Sequence, residues 1–209
     1  MSKILISGYY GFANAGDEAM LTAIIESLRQ VEKNVELTVL SGNPEDTAAK
    51  HQVCSVYRFN PLGIIRAMKD SELIISGGGS LLQDVTSKRS LLYYLSIIGL
   101  GKFFGKKVML FAQGIGPIRA KWARKLTSLV CNEADLITVR DSESAAELIE
   151  MGVKPEKITV TADSVLSLNP VTKECGQYLL QEAGVDLTKP VIGISVRPWS
   201  GDSQCFQVL

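Results

Sequence analysis

The chain has 209 residues, 46% of them hydrophobic, with 22 basic and 22 acidic side chains. That length suits one sizeable α/β domain, or one domain and the start of another, with enough apolar residues for a buried core. A net charge of zero argues against wholesale nucleic-acid binding or an electrostatic membrane tether, and four scattered cysteines with one histidine argue against a structural metal site.

Apolar strands and amphipathic helices are expected to alternate along the chain. Residues 4–7 form a first strand, and residues 17–32 a helix on which Met20, Ile24, Leu28 and Val31 recur at helical spacing. A strand over 35–40 precedes a short helix opened by Pro44; a short strand over 52–56 precedes a helix over 61–69 begun by Pro61. Residues 73–76 form a continuous apolar strand that runs into Gly77-Gly78-Gly79, and a long helical region covers 88–104. That region holds the longest apolar stretch, 91–101, which is interrupted by Ser96 and Gly99, ends at Lys102 and is too short to span a bilayer. Its basic flanks, Lys88, Arg89, Lys102, Lys106 and Lys107, suit either a membrane surface or a core helix, and the strand that follows at once favours the core.

The next strand, 107–112, ends at Gln113-Gly114-Ile115-Gly116-Pro117 and leads to a helix over 119–132. The strand over 136–139 ends on Arg140-Asp141-Ser142, where Ser142 is placed to cap a helix running to 151, and 158–161 is the last strand of the series. Short apolar runs separated by helices predict a Rossmann-like parallel sheet with helices on both faces, over residues 1–170. Residues 171–209 then read as a crossover helix, over 173–183, and the first strand of a second domain, over 191–196; the alternative is one more strand of the same sheet. Too little chain follows for a second Rossmann domain, so a truncated or fragmentary polypeptide is expected. Cys54, Cys131, Cys175 and Cys205 read as reduced thiols of a cytoplasmic protein, and residues 1–3 lack the pattern of a secretory leader.

Open parallel sheets bind ligands at the carboxyl ends of their strands, and here those ends are rich in glycine and polar groups. The first loop, Gly8 to Glu18, joins a strand to a helix through three glycines and adds Asn14, Asp17 and Glu18 at the helix entrance. The Gly11 to Gly16 spacing matches a phosphate-binding P-loop, but Asp17-Glu18 stand where that motif needs Lys-Ser/Thr. Two carboxylates repel a triphosphate, so the loop suits hydroxyl binding or proton transfer; dipole complementation at the helix start is the structural alternative. Gly77, Gly78, Gly79 and Ser80, followed by Gln83 and Asp84, offer backbone N–H groups to an anion or sugar oxygen, or else permit tight strand–helix packing. Gln113 and Gly114 lie on the same edge. Arg140 and Arg197 each follow an apolar strand with a fork suited to carboxylate or phosphate, against which stands a salt bridge, for Arg140 to Asp141 or Glu143. Asp84 and Asp163 are candidates that could equally cap a turn. His51, the single imidazole, is expected at the surface far from the glycine loops, which leaves a carboxylic acid, lysine, tyrosine or a group outside this chain as general acid.

The ordered set Gly8 to Glu18, Gly77 to Asp84, Gln113 to Pro117 and Val139-Arg140-Asp141 resembles the polysaccharide pyruvyl transferase family, closest to the bacterial enzymes that pyruvylate a secondary cell-wall polymer for S-layer anchoring. The likeness extends to residues 195–199, which look like the entry to that family's second domain. It implies the amino-terminal half of a glycosyltransferase-B-like fold. It also implies transfer of a pyruvyl group from phosphoenolpyruvate onto two hydroxyls of one sugar, without a cofactor or metal. The acceptor would be a lipid-linked or polymeric amino sugar, and the setting the cytoplasm or the inner face of the membrane, where peripheral contact and oligomerisation are compatible with the sequence. On this reading Asn14, Gly16, Asp17 and Glu18 face the acceptor, with Asp17 or Glu18 as base, and Arg140 pairs with the donor's carboxylate or phosphate. Lacking the second domain, the chain is expected to have little transferase activity alone.

Two other readings stand beside it, a nucleotide-sugar glycosyltransferase of the same architecture and a non-catalytic interaction module. A dinucleotide oxidoreductase fits least, because the first loop lacks GxGxxG and the second strand ends at Ser41-Gly42-Asn43 without an acidic residue for a ribose.

Overall fold

Strands and helices alternate through the computed structural model, which describes residues 2–85 and 87–194. The order is β1 (Lys3–Tyr10), α1 (Ala15–Val31), β2 (Glu36–Ser41), α2 (Pro44–His51), β3 (Cys54–Tyr57), α3 (Pro61–Asp70), β4 (Leu73–Gly77) and α4 (Lys88–Phe103). It continues with β5 (Lys107–Gln113), α5 (Lys121–Glu133), β6 (Leu136–Val139), α6 (Ser142–Glu150), β7 (Ile158–Val160) and, in the second part of the chain, α7 (Lys173–Glu182). Seven strands pair in parallel in the order β3-β2-β1-β4-β5-β6-β7, which is the α/β Rossmann-like layout expected.

The winding reverses between β1 and β4, and right-handed crossovers on either side of that reversal put helices on opposite faces. On one face Ile4 and Ile6 of β1 pack with Leu21, Ile24 and Ile25 of α1. On the other, Leu5 packs in a cluster containing Met68 of α3, Leu91, Tyr94 and Ile98 of α4, and Leu148 of α6. Because both faces are covered, the central strands read as unbroken apolar runs instead of alternating ones. The apolar helix α4 buries Leu91, Tyr94, Leu95, Ile97 and Ile98, so the core reading of its sequence holds. No helix among the described residues is long and apolar enough to cross a membrane.

Local side chains set the helix starts. Asn14 caps α1, which begins two residues before the expected start, while Asn43 and Asn60 cap α2 and α3 ahead of their prolines. The cap of α6 is Asp141, whose carboxylate accepts from Ser144 N at 2.7 Å; Ser142 is instead the first helical residue, a correction to the sequence reading. The chain divides into two units at Leu168/Asn169. In the second, Thr172 caps α7, and residues 191–194 form no regular element; the remainder of the strand expected there, with Arg197 and Cys205, lies outside the described residues.

Candidate functional site

The reversal of strand order brings the loop after β1 and the loop after β4 side by side, the position where open α/β sheets bind ligands. Tyr10 ties the two together: fully buried, it donates its hydroxyl to the carbonyl of Gly77 at 2.6 Å. Burial first, and then the charge of Asp17, raise the Tyr10 pKa well above its usual value, so the hydroxyl stays a donor. Gly8 is required here because a Cβ would lie 2.3 Å from Tyr10 Cζ. Gly78 and Gly79 take φ of 84° and 61°, the left-handed region that glycine enters freely. The Gly79 N–H is directed at Met20 Sδ at 3.0 Å, so this amide of the glycine run is used in packing and does not face a ligand.

Asp17 and Glu18 project from the first turn of α1 into different surroundings. Asp17 Oδ1 lies over Gly79, 3.0 Å from where a Cβ would stand. Glu18 turns back on its own loop, with Oε1 accepting from Gly11 N at 2.8 Å. Its Oε2 is buried and faces His51 Nε2 at 3.6 Å, and neither of these two atoms has a hydrogen-bond partner. His51 is thus not a remote surface residue: as the last residue of α2 it is set against the glycine loop, with its side chain 9% exposed. Arg29 of α1 donates to the carbonyls of His51 and Gln52, which holds that helix end in place. Asn14 is exposed and spends its Oδ1 on Gly16 N at 3.1 Å.

A basic end of the same edge is built from β4, β5, β6 and the turn after β7. Arg140 contacts Asp141 through Nε at 3.4 Å, Asp163 through Nη1 at 3.2 Å and Ser80 through Nη2 at 3.3 Å. It lies across Gly114, where a Cβ would be 2.8 Å from Nε and Nη2. The salt-bridge reading of Arg140 is the one seen, to Asp141 and Asp163, and the partly buried guanidinium keeps N–H donors to spare. The Asp141 carboxyl is held below its usual range by the hydrogen bonds from Ser144 and then by Arg140. Gln113 is wholly buried and donates Nε2 to Ser76 O and Oγ at 2.9 and 2.8 Å, bracing β5 against β4. Asp84 accepts from Arg119 N and Ala120 N, both at 2.9 Å, and so serves the start of α5, the capping alternative of the sequence reading. Asp163 caps the short turn over Ser164–Ser167 as well as pairing with Arg140.

The outcome is one edge with an acidic end and a basic end that meet on consecutive residues: Asp17 stands over Gly79, and Arg140 bonds to Ser80. Sequence reasoning did not select Tyr10, His51 or Arg58. Arg58 follows β3 as Arg140 follows β6, which was the available signal. Tyr10 and His51 carry no local mark, since their partners are distant in the chain.

An α/β half of glycosyltransferase-B type, with its strand order reversing between β1 and β4, is the class these features define. Solved structures agree on the fold. Anabaena HepE in complex with UDP-glucose matches with a TM-score of 0.55 and 13% identity over 88% of this chain and 50% of that one. A glycosyltransferase from Rickettsia africae matches at 0.54 and 12% over 90% and 51%. UDP-GlcNAc 2-epimerase from Neisseria meningitidis bound to UDP-GlcNAc matches at 0.52 and 13% over 87% and 50%. This chain thus spans about half the length of each. The model of the polysaccharide pyruvyl transferase family matches residues 14–196, and the chain belongs to that family. No curated protein sequence matches it significantly.

Proposed function

We propose that the chain forms the acceptor-facing half of a site that moves a pyruvyl group from phosphoenolpyruvate to two hydroxyls of a sugar in a cell-wall polysaccharide precursor. The observation that carries this reading is the meeting of Asp17 and Arg140 on Gly79-Ser80, whose Cα atoms are only ~3.8 Å apart. Ketal formation needs a base at the attacking hydroxyl, a proton at the enolpyruvyl methylene carbon, and stabilisation of the cationic C2 and the departing phosphate. One hydroxyl adds at C2 as the methylene carbon gains a proton; phosphate then leaves with its bonding pair, and the second hydroxyl closes the ring as it loses its proton. Asp17 is the base of this scheme. Glu18 is not, because one of its oxygens is bonded to Gly11 N and the other faces His51. Arg140 takes the donor's carboxylate or phosphate through its remaining N–H groups, while Asp141 and Asp163 hold the guanidinium in place.

Asn14 and Gly16 border the acceptor, Gly77 and Gly78 shape the cleft, and Arg197 is proposed to add a second cation. An acceptor amino sugar carried on lipid or polymer, a cytoplasmic site of action near the inner membrane face, and a role in S-layer anchoring complete the proposal.

The test is calorimetric titration of this chain with phosphoenolpyruvate and with a panel of nucleotide sugars, and phosphate release measured in a two-domain version with an N-acetylmannosamine acceptor. Arg140→Gln is expected to weaken phosphoenolpyruvate binding by about tenfold, the value of one charge-assisted contact. Asp17→Asn is expected to leave that binding in place and lower turnover about 10²-fold or more, as loss of a general base does. Tight nucleotide-sugar binding with none for phosphoenolpyruvate, or full turnover by Asp17→Asn, overturns the reading.

A further inference from the structure

We infer that Arg58 is the base of a second anion site, one that takes a phosphoryl group beneath an aromatic lid formed by Tyr9 and Phe12. Arg58 leaves the end of β3 with its backbone N–H bonded to Ser41 O at 2.9 Å, and its side chain turns inward until the residue is 5% exposed. Five rings surround the guanidinium carbon, with centroids at 4.4 Å for Tyr93, 5.2 Å for Phe59, 5.3 Å for Phe12, 5.5 Å for Tyr94 and 5.9 Å for Tyr9. Ring faces attract a cation, but they are poor substitutes for the oxygen acceptors that guanidinium N–H groups seek. Nη2 donates to Tyr94 Oη at 3.3 Å, whereas Nε and Nη1 are buried without a hydrogen-bond partner. Arg58 enters none of the ion pairs among the described residues.

Two buried hydroxyls, of Ser7 and Tyr93, stand beside it. That of Tyr93 interacts with both Ser7 and Arg58: burial, the larger effect, raises its pKa, while the charge of Arg58 and the hydrogen bonds of both lower it, and neither hydroxyl has a close, well-aligned partner. Ser7 shares its strand face with Leu5, toward α4, so this cluster lies on the side of β1 away from Glu18 and His51. Two guanidinium nitrogens without a close partner and two hydroxyls thus gather donors in one small region. A carboxylate offers two oxygens in a plane; a phosphoryl group offers three terminal oxygens in a tetrahedral array and suits donors that are not coplanar.

The cover is a stacked aromatic pair at the surface. Tyr9 and Phe12 stack with centroids 4.4 Å apart and are 41% and 42% exposed, so they form the outer wall of the cage. Phe12 sits between Gly11 at φ 77° and Ala13 at φ 56°, left-handed residues on either side of it, the second in a conformation that non-glycine residues seldom adopt. Rotation at Gly11 swings the Phe12 ring away and opens Arg58 to the edge on which Asn14 and Asp17 also lie. The phosphoryl group comes either from a sugar phosphate or from phosphoenolpyruvate itself.

The site is separate from Arg140, and its test reads anion binding without any transfer, so its failure leaves the pyruvyl reading standing and the reverse also holds. Inorganic phosphate is titrated at constant ionic strength, with chloride as control, into the full chain carrying Arg140→Gln, while the Nε–H resonance of Arg58 is followed. Saturable binding that shifts this resonance, and at least a tenfold loss of affinity when Arg58→Gln is added, are expected. If the added change prevents folding, the resonance in the Arg140→Gln chain decides alone. Glucose 1-phosphate and phosphoenolpyruvate, titrated in parallel, identify the source by the tighter of the two. No saturable phosphate binding, or an Arg58 resonance that ignores phosphate, makes the cage a purely structural cation–π cluster and overturns the proposal.

Discussion

Asp17 and Glu18 are adjacent in sequence, yet the helical rotation between them sends one carboxylate to Gly79 and the other to Gly11 and His51. Glu18→Gln keeps an oxygen for Gly11 N and loses the charge opposite His51, so it is expected to reduce activity far less than Asp17→Asn. Parallel turnover and binding measurements on the two variants check this, and equal losses would merge their roles. Tyr10→Phe removes a buried 2.6 Å hydrogen bond and strands the Gly77 carbonyl. Urea unfolding of this variant is expected to show a loss of about 1–3 kcal/mol, the range for orphaning a buried acceptor.

At the scale of elements, α5 starts without a cap of its own, since Ala120 has no side-chain oxygen and Asp84 reaches across to fill that role. Asp84→Ala is expected to cost about 1 kcal/mol in denaturant unfolding, as other cap removals do, with phosphoenolpyruvate binding unchanged. The opposite, amino edge of the sheet has its own knot. Asp135, just before β6, accepts from Lys102 Nζ, Val108 N and Lys107 Nζ. Burial pushes the Asp135 pKa up, but these bonds and the charge of Lys102 outweigh it and bring it to about 2. A carboxyl depressed in the folded state stabilises above its unfolded value and loses that contribution as pH falls toward 2. Asp135→Asn is therefore expected to flatten the decline in stability between about pH 4 and pH 2, read from melting temperature against pH. An unchanged acid limb would mean that Asp135 is not part of it.

For the whole molecule, the sheet order puts the ligand edge and the stability knot of Asp135 at opposite ends of the same strands, so substitutions at one end are expected to leave the other intact. The division at Leu168/Asn169 sets residues 2–168 apart as one compact unit, which holds all seven strands of the sheet. The connecting residues 169–172 are exposed and belong to no helix or strand. Limited trypsin treatment is expected to cut near Lys173 first and leave a large fragment with the thermal transition of the uncut chain. Collapse of that transition on cleavage would show that the fragment depends on α7.

The alternation of strands and helices, the α/β class and the placing of glycine loops at strand ends were legible in the chain itself, because hydrophobic period and turn chemistry are properties of a few neighbouring residues. Asn43, Asn60 and Asp141 act within three residues of their own positions, although choosing Asp141 over Ser142 needed the backbone. Tertiary structure alone decided the rest. Pairing of β1 with β4 sets Tyr10 on Gly77 and Asp17 over Gly79; the end of α2 delivers His51 to Glu18; and β3 feeds Arg58 under rings from the β1 loop and α4. Burial and proximity of this kind depend on which distant segments pack together, and no local pattern encodes that choice.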